Sequence, residues 1–278
     1  SMRTCPRVIS TCAMDQLVDL ETYPIDQPGS PAYAALVAEC RARLAVDGMF
    51  DLPGFMRPEM VAKAVQDVGP AMASESFRHA RSHNIYFRDS VEGLAPDHPA
   101  LTKVETVNHT LCADQLQGNP VIALYEWQPF VAFLADTMGK EVLYCMQDPM
   151  ARVNVQASRH GEALNWHFDR SEFTTTILLQ APQEGGELEF RKDLRSAEDP
   201  NFDGVAAVLR GEDPLVTKAA LKPGALNVFR GVNTLHRVVQ VKGPIERLVA
   251  IFAFFDRPDG VMTAKEQQGF YGRAVAAA

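Results

Sequence analysis

His167-Phe168-Asp169 sets an imidazole and a carboxylate two residues apart. In an extended strand such positions project to the same face, so one cation can take both. His236 lies downstream, after the Gly-rich stretch Gly224 to Arg230 and the turn Gly231-Val232-Asn233, where the chain is expected to return beside the first strand. Two imidazoles and one carboxylate make a facial triad suited to non-haem Fe(II), with three coordination positions left open. His-x-Asp is common, however, and from these three residues alone a solvent-facing turn at a strand end is the better reading. Arg247 reverses that balance. It stands eleven residues after His236 and opens the apolar run Leu248-Val249-Ala250-Ile251-Phe252. A guanidinium leading into a core is costly unless a carboxylate meets it, and its fork matches two carboxylate oxygens. A dicarboxylate cosubstrate could span metal and arginine. Glu246 and Asp256 are weaker partners, being near in sequence and expected at the surface.

Other candidates surround this constellation. Arg78-His79-Ala80-Arg81-Ser82-His83-Asn84 reads as a loop rich in cations and donors ahead of Ile85-Tyr86-Phe87. Arg78, Arg81 and His83 are candidate substrate-binding residues that could clamp a carboxylate, and a solvated basic turn explains them equally well. Asn154, on the strand before His167, is a candidate to face the cosubstrate. Trp166 is expected to point away from the metal face into the core. Gly185-Gly186 and Gly224 read as tight turns, because no helix N-terminus follows them to bind phosphate. The remaining histidines, His79, His98, His109 and His160, carry no company that sets them apart.

The elements that must position these residues change character near residue 150. Ser30-Pro31 supplies a cap and a first-turn proline, and Tyr33, Leu36, Val37, Cys40 and Leu44 recur at helical spacing until Gly48. A second helix begins near Pro58 with Val61, Val65 and Val68 on one face. A third runs from Asn119-Pro120 to Gly139, and Pro129 should kink or split it. From Asp148 the texture becomes short runs of Val, Thr, Phe and Leu between Gly, Pro and Asn, with strands predicted over 152–156, 173–180, 186–191, 224–230, 237–241 and 247–255. Strands at this spacing predict a sandwich or barrel. Residues 192–216 read as an insertion with a short helix near Val205 to Leu209.

The chain has 278 residues, which at about 150 residues per domain allows two domains or one large unit. Its apolar share of 46% and charged share of 22% exclude a mainly disordered, collagenous or membrane-embedded chain. The formal charge of −8 disfavours the broad basic surface that nucleic acids or anionic membranes would require, and so points to small partners. Five cysteines, an odd number without any Cys-x-x-Cys pair, read as reduced thiols. No basic segment precedes an apolar run at the start, so a cytoplasmic location is expected. Ser1-Met2 reads as a tag remnant before an initiator methionine.

With these residues in hand, the sequence resembles the Fe(II)/2-oxoglutarate-dependent oxygenases, which carry His-x-Asp, a distal His and an Arg some ten residues later. The strings LNWHFDRSEFTTTILLQAPQEGGELEF, KPGALNVFRGVNTLHRVVQVKGPIERLVAIFAFFD and the late YGR are similar to a branch of free-amino-acid halogenases and hydroxylases acting on lysine and related amino acids. RSHNIYF and LYEWQPFVAFLADTMGKEVLYCMQDP extend that likeness into the first half. The resemblance implies a mainly β protein with α-helices: a double-stranded β-helix, or jelly-roll barrel, buttressed by N-terminal helices. It implies one oxygenase domain over 1–278, with a mainly helical part at 1–147, the barrel core at 148–256 and a C-terminal tail at 257–278. It makes His167, Asp169 and His236 the Fe(II) ligands and Arg247 the anchor for the distal carboxylate of 2-oxoglutarate, with O2 as the oxidant. In the halogenases of that branch a glycine stands where Asp169 stands and leaves room for chloride, so Asp169 implies hydroxylation of an unactivated C–H bond, with release of succinate and CO2. A peptide, protein or carrier-tethered substrate remains an alternative to a free amino acid, as does a cupin-like metal-binding protein without turnover.

Overall fold

The computed structural model describes residues 11–255, 257–258 and 260–275. Ser1, Met2, Cys5 and Asp256 lie outside them, as does the side chain of Cys12. Two antiparallel sheets carry the architecture. The larger has the strand order β1 (Met49–Leu52), β10 (Leu226–Phe229), β7 (Thr174–Gln180), β12 (Arg247–Phe252), β5 (Val153–Ser158), β3 (Val104–Cys112) and β2 (Phe77–His83). The smaller runs β6 (Leu164–His167), β11 (Leu235–Val238), β8 (Leu188–Arg191) and β9 (Thr217–Ala219), and a short pair joins β13 (Phe254–Phe255) to β4 (Tyr144–Cys145). This is the expected double-stranded β-helix with helices packed on it.

Helices α1 (Thr11–Leu17), α2 (Pro31–Asp47), α3 (Pro58–Ser74), α4 (Pro120–Glu126) and α5 (Gln128–Thr137) cover one face of the larger sheet. Their apolar stripes, Tyr33, Val37, Cys40 and Leu44 on α2 and Val61, Ala64, Val68 and Met72 on α3, join one core with Leu226, Val228, Ile177, Leu248, Ala250, Val153 and Val155 of the sheet. Burying a large aliphatic side chain is worth about 1.5–3 kcal/mol, so this face holds the fold together. The Ser30 hydroxyl accepts the Tyr33 amide at 3.1 Å and caps α2 as expected. The division between α4 and α5 falls at Trp127, because Pro129 has no amide hydrogen to return to the preceding turn. No helix among the described residues is long and apolar enough to cross a membrane.

Several strands depart from the sequence expectation. β1, β2 and β3 come from the part read as helical and supply both edges of the larger sheet, so the first 147 residues build the barrel as well as support it. The stretch 78–84 read as a loop is strand through His83. β2 escapes an apolar search because its alternating faces both carry polar residues, whereas half-buried strands announce themselves by apolar alternation. β11 starts at Leu235 rather than Arg237, and β6 was not anticipated. The insertion carries α6 (Phe202–Leu209), capped by Asn201, whose side chain accepts the Gly204 amide. A C-terminal helix, α7 (Ala264–Tyr271), completes the chain.

Candidate metal centre and ligand cavity

A cavity of about 800 Å³ lies between the two sheets. His167 ends β6 and His236 sits directly across from it on β11, so antiparallel pairing brings the two imidazoles together with centroids 4.3 Å apart. Asp169 follows two residues later, held by its amide to the Gly231 carbonyl at 3.0 Å. One ligand atom from each of the three lies within 4.8 Å of the others. The Nδ1 atoms of His167 and His236 each face a backbone carbonyl, that of Asn165 at 2.7 Å and that of Thr234 at 2.8 Å. A carbonyl only accepts, so both Nδ1 atoms donate and the neutral rings turn bare Nε2 lone pairs inward.

These lone pairs meet Asp169 Oδ1 at 3.2 and 3.3 Å. Three electron-rich atoms this close need a cation among them. Burial works to raise the Asp169 pKa, but the charge on His236 and hydrogen bonds from both imidazoles prevail and hold it well below the usual carboxylate range. Burial works to lower His236, and the facing Asp169 carboxylate reverses this and raises it. Two imidazole nitrogens and a carboxylate oxygen on one side of a cavity fit Fe(II) with open positions. The other Asp169 oxygen accepts the Thr174 hydroxyl at 2.6 Å. Gly231 makes this possible: a Cβ there would lie 2.5 Å from Asp169 Oδ2 and 2.4 Å from Thr174 Oγ1.

Arg247 enters the same cavity from β12 and is buried, with 6% of its surface exposed. Its Nε donates to the Gly186 carbonyl at 3.0 Å. Among the described residues no carboxylate meets it, and Glu246 is bound instead to Arg159 at 3.0 Å. Burial lowers the Arg247 pKa to about 10. A buried guanidinium without an acidic partner is an anion site. Gly186, at φ +75°, fits this turn because a side chain would press on Pro182 at 2.7 Å and on the Arg247 stem at 3.2 Å.

The other expected residues divide. Arg81 and His83 line the cavity, but Arg78 is exposed and does not, because alternate residues of β2 face opposite ways. His83 spends both nitrogens, Nδ1 on the Asn84 carbonyl at 2.8 Å and Nε2 on the Thr106 hydroxyl at 2.6 Å. Its ring stacks on Phe87 at 4.5 Å, so it braces a neighbour rather than offering a free donor. Asn154 lines the cavity with a committed amide: its Nδ2 donates to the Met150 and Val153 carbonyls at 2.9 Å, and its Oδ1 accepts the Tyr271 hydroxyl at 3.1 Å. Trp166 is partly buried against the Phe168 cluster, away from the triad. Three bland histidines have structural partners: His98 caps Ala100, His109 meets Glu162 at 3.0 Å, and His160 accepts from Gly243.

Several residues were invisible to spacing. Phe87 adopts φ 57°, a backbone state costing a bulky residue on the order of 1–3 kcal/mol, and places its ring 6.1 Å from the His167 ring. Asp148 is fully buried and accepts four hydrogen bonds of 2.8–2.9 Å, from Met150, Ala151, Met262 and Gln267. It thereby pins α7, whose Phe270 and Tyr271 close one side of the cavity.

The family model for Halogenase D matches residues 34–268. No curated protein sequence matches the chain. Among solved structures, the non-haem α-ketoglutarate-dependent epimerase SnoN from nogalamycin biosynthesis is 15% identical over 80% of this chain and 84% of its own, with a TM-score of 0.54. AviO1 from Streptomyces viridochromogenes is 16% identical over 80% of this chain and 96% of its own, also at 0.54. A Pseudomonas putida prolyl-4-hydroxylase is 15% identical over 81% of this chain and 100% of its own, at 0.50. At these identities the structures share the fold. The match to the family model over most of the chain, on a barrel of this kind, makes the chain a member of the Halogenase D family within the Fe(II)/2-oxoglutarate-dependent oxygenases.

Proposed function

We propose that this oxygenase hydroxylates an unactivated C–H bond of a small polar metabolite, with a free amino acid as the substrate class. His167, Asp169 and His236 hold Fe(II), and Arg247 holds the distal carboxylate of 2-oxoglutarate. Bound there, iron supplies O2 activation coupled to oxidative decarboxylation. In balance, substrate C–H, 2-oxoglutarate and O2 give substrate C–OH, succinate and CO2.

The observation that carries hydroxylation is Asp169, whose Oδ1 stands 3.2 and 3.3 Å from the two imidazole nitrogens. A carboxylate in the third position of the facial triad leaves no place for a halide there, although the family model bears a halogenase name. The remaining residues position and exclude. Thr174 and Gly231 fix the rotamer of Asp169, and the carbonyls of Asn165 and Thr234 fix both imidazoles. Phe87 and Phe229 press edges against His167 and His236 and keep water from that side. Succinate release measured across a panel of free amino acids, with mass detection of a product heavier by one oxygen, tests the reading. Equal, background release with every amino acid would contradict it and favour a tethered or peptide substrate.

A further inference from the structure

The charged groups of the cavity wall say what kind of substrate fits, given the oxygenase reading above, on which this inference rests. Beyond the triad and Arg247, the wall carries His79, Arg81, Lys140, Arg170 and Glu172. Glu172 is joined to Lys140 at 2.7 Å, so that acid and that amine answer each other. Asp169 is held between the imidazoles. Burial lowers the His79 pKa, which keeps it neutral near pH 7. Two guanidiniums remain, and among the described residues neither meets a carboxylate. Arg81 lies 4.8 Å above the Phe87 ring and Arg170 lies 5.8 Å from the Phe270 ring.

Both stand beside the reacting region. Arg170, which is exposed, directly follows Asp169 in the chain, and the Phe87 ring under the half-buried Arg81 is the one set against His167. The wall also carries an apolar set, Met138, Leu143, Phe173, Phe254, Phe255 and Phe270. Among the described residues the chamber holds two unanswered cations and no uncommitted acid, so a substrate carrying a second ammonium on its side chain would meet Coulomb repulsion that one with an apolar side chain avoids. A carboxylate is drawn to the arginines, and an apolar body is drawn to the aromatic wall.

We infer that Arg81 and Arg170 form a substrate-carboxylate subsite and that the substrate is a carboxylic acid with an apolar body, such as an aliphatic or aromatic amino acid, rather than a basic one. The test is titration of the anaerobic Fe(II) and 2-oxoglutarate complex with leucine, norleucine, phenylalanine, lysine and ornithine, followed by calorimetry and by perturbation of the visible charge-transfer band. The apolar members should bind at least about tenfold tighter than lysine or ornithine. Arg170→Ala and Arg81→Ala should each weaken that binding by about tenfold or more while the charge-transfer band persists, and Arg170→Glu should narrow or invert the preference against lysine. Lysine binding as tightly as leucine, no binding by any member, or unchanged affinity in both alanine variants would overturn the assignment. A wild-type protein with no band at all would overturn the oxygenase reading itself, and this one with it.

Discussion

Along β12, Leu248 and Ala250 face the helices while Arg247, Val249 and Ile251 face the cavity, and β5 divides likewise between Val153, Val155 and Ala157 on one side and Asn154 and Gln156 on the other. The period of a strand is two, so one sequence writes both faces at once. On β5 and β12 the outer face is apolar and joins the core formed with the helices. The inner face mixes Arg, Asn, Gln and Thr with apolar residues around an open space of about 800 Å³. Stability and chemistry are thus stored on opposite sides of the same strands, and substitutions on the two sides should report on different quantities.

The largest separation is expected at the triad. His236→Ala should lower turnover by about 10³-fold or more, since the role of a group held in a preformed site is not replaced by water, while the unfolding midpoint moves little; a variant retaining a tenth of wild-type activity would break the division. On the outer side, Phe130 is fully buried between the Phe55 and Phe252 rings. Phe130→Ala should cost about 3–5 kcal/mol in denaturant unfolding with turnover per folded molecule preserved. Arg247→Ala should weaken 2-oxoglutarate by ~2–5 kcal/mol, as expected when one partner of a buried charged pair is removed, read by calorimetry in the anaerobic iron-loaded protein. Asp148→Ala should cost about 1–3 kcal/mol by stranding buried donors and should speed hydrogen exchange in 262–271; unchanged exchange there would deny that Asp148 pins α7.

The smallest effect concerns His83. Burial, the largest influence, lowers its pKa below 6.5, outweighing the hydrogen bond to the Asn84 carbonyl. The unfolded chain therefore takes up the proton first as pH falls, so the stability from a neutral His83 is complete above pH 6.5 and declines below it toward the folded pKa. Chemical unfolding of wild type and His83→Gln at neutral and mildly acidic pH should show the variant with the flatter slope, and parallel slopes would contradict this account.

The inner face was only half legible in the sequence. His167, Asp169 and His236 could be proposed together because His-x-Asp in extended backbone suggests a shared face, although β6 ends at His167 and the Gly231 carbonyl holds Asp169 just beyond it, and antiparallel return explains why the distant imidazole lands opposite. Arg247 stood out because a cation at the head of an apolar run is anomalous. The apolar runs of β5, β7, β10 and β12 were readable for the same reason that they pack. β2 and β3 were not, since their inward residues, His79, Arg81, Thr106 and Asn108 among them, are polar and mimic a loop. The choice between Arg78 and Arg81 needed the strand register. Phe87 needed a backbone angle, and the Asp148 clasp joins residues more than a hundred positions apart, which no local pattern encodes.

The central claim is that a carboxylate-completed triad directs this chain to hydroxylation. Its most direct test is the mass of the product formed under isotopically labelled O2, with iron, 2-oxoglutarate, substrate and excess chloride present. The account predicts a product that gains one labelled oxygen atom and no chlorine in wild type. A chlorinated product from the protein with Asp169 intact would contradict it.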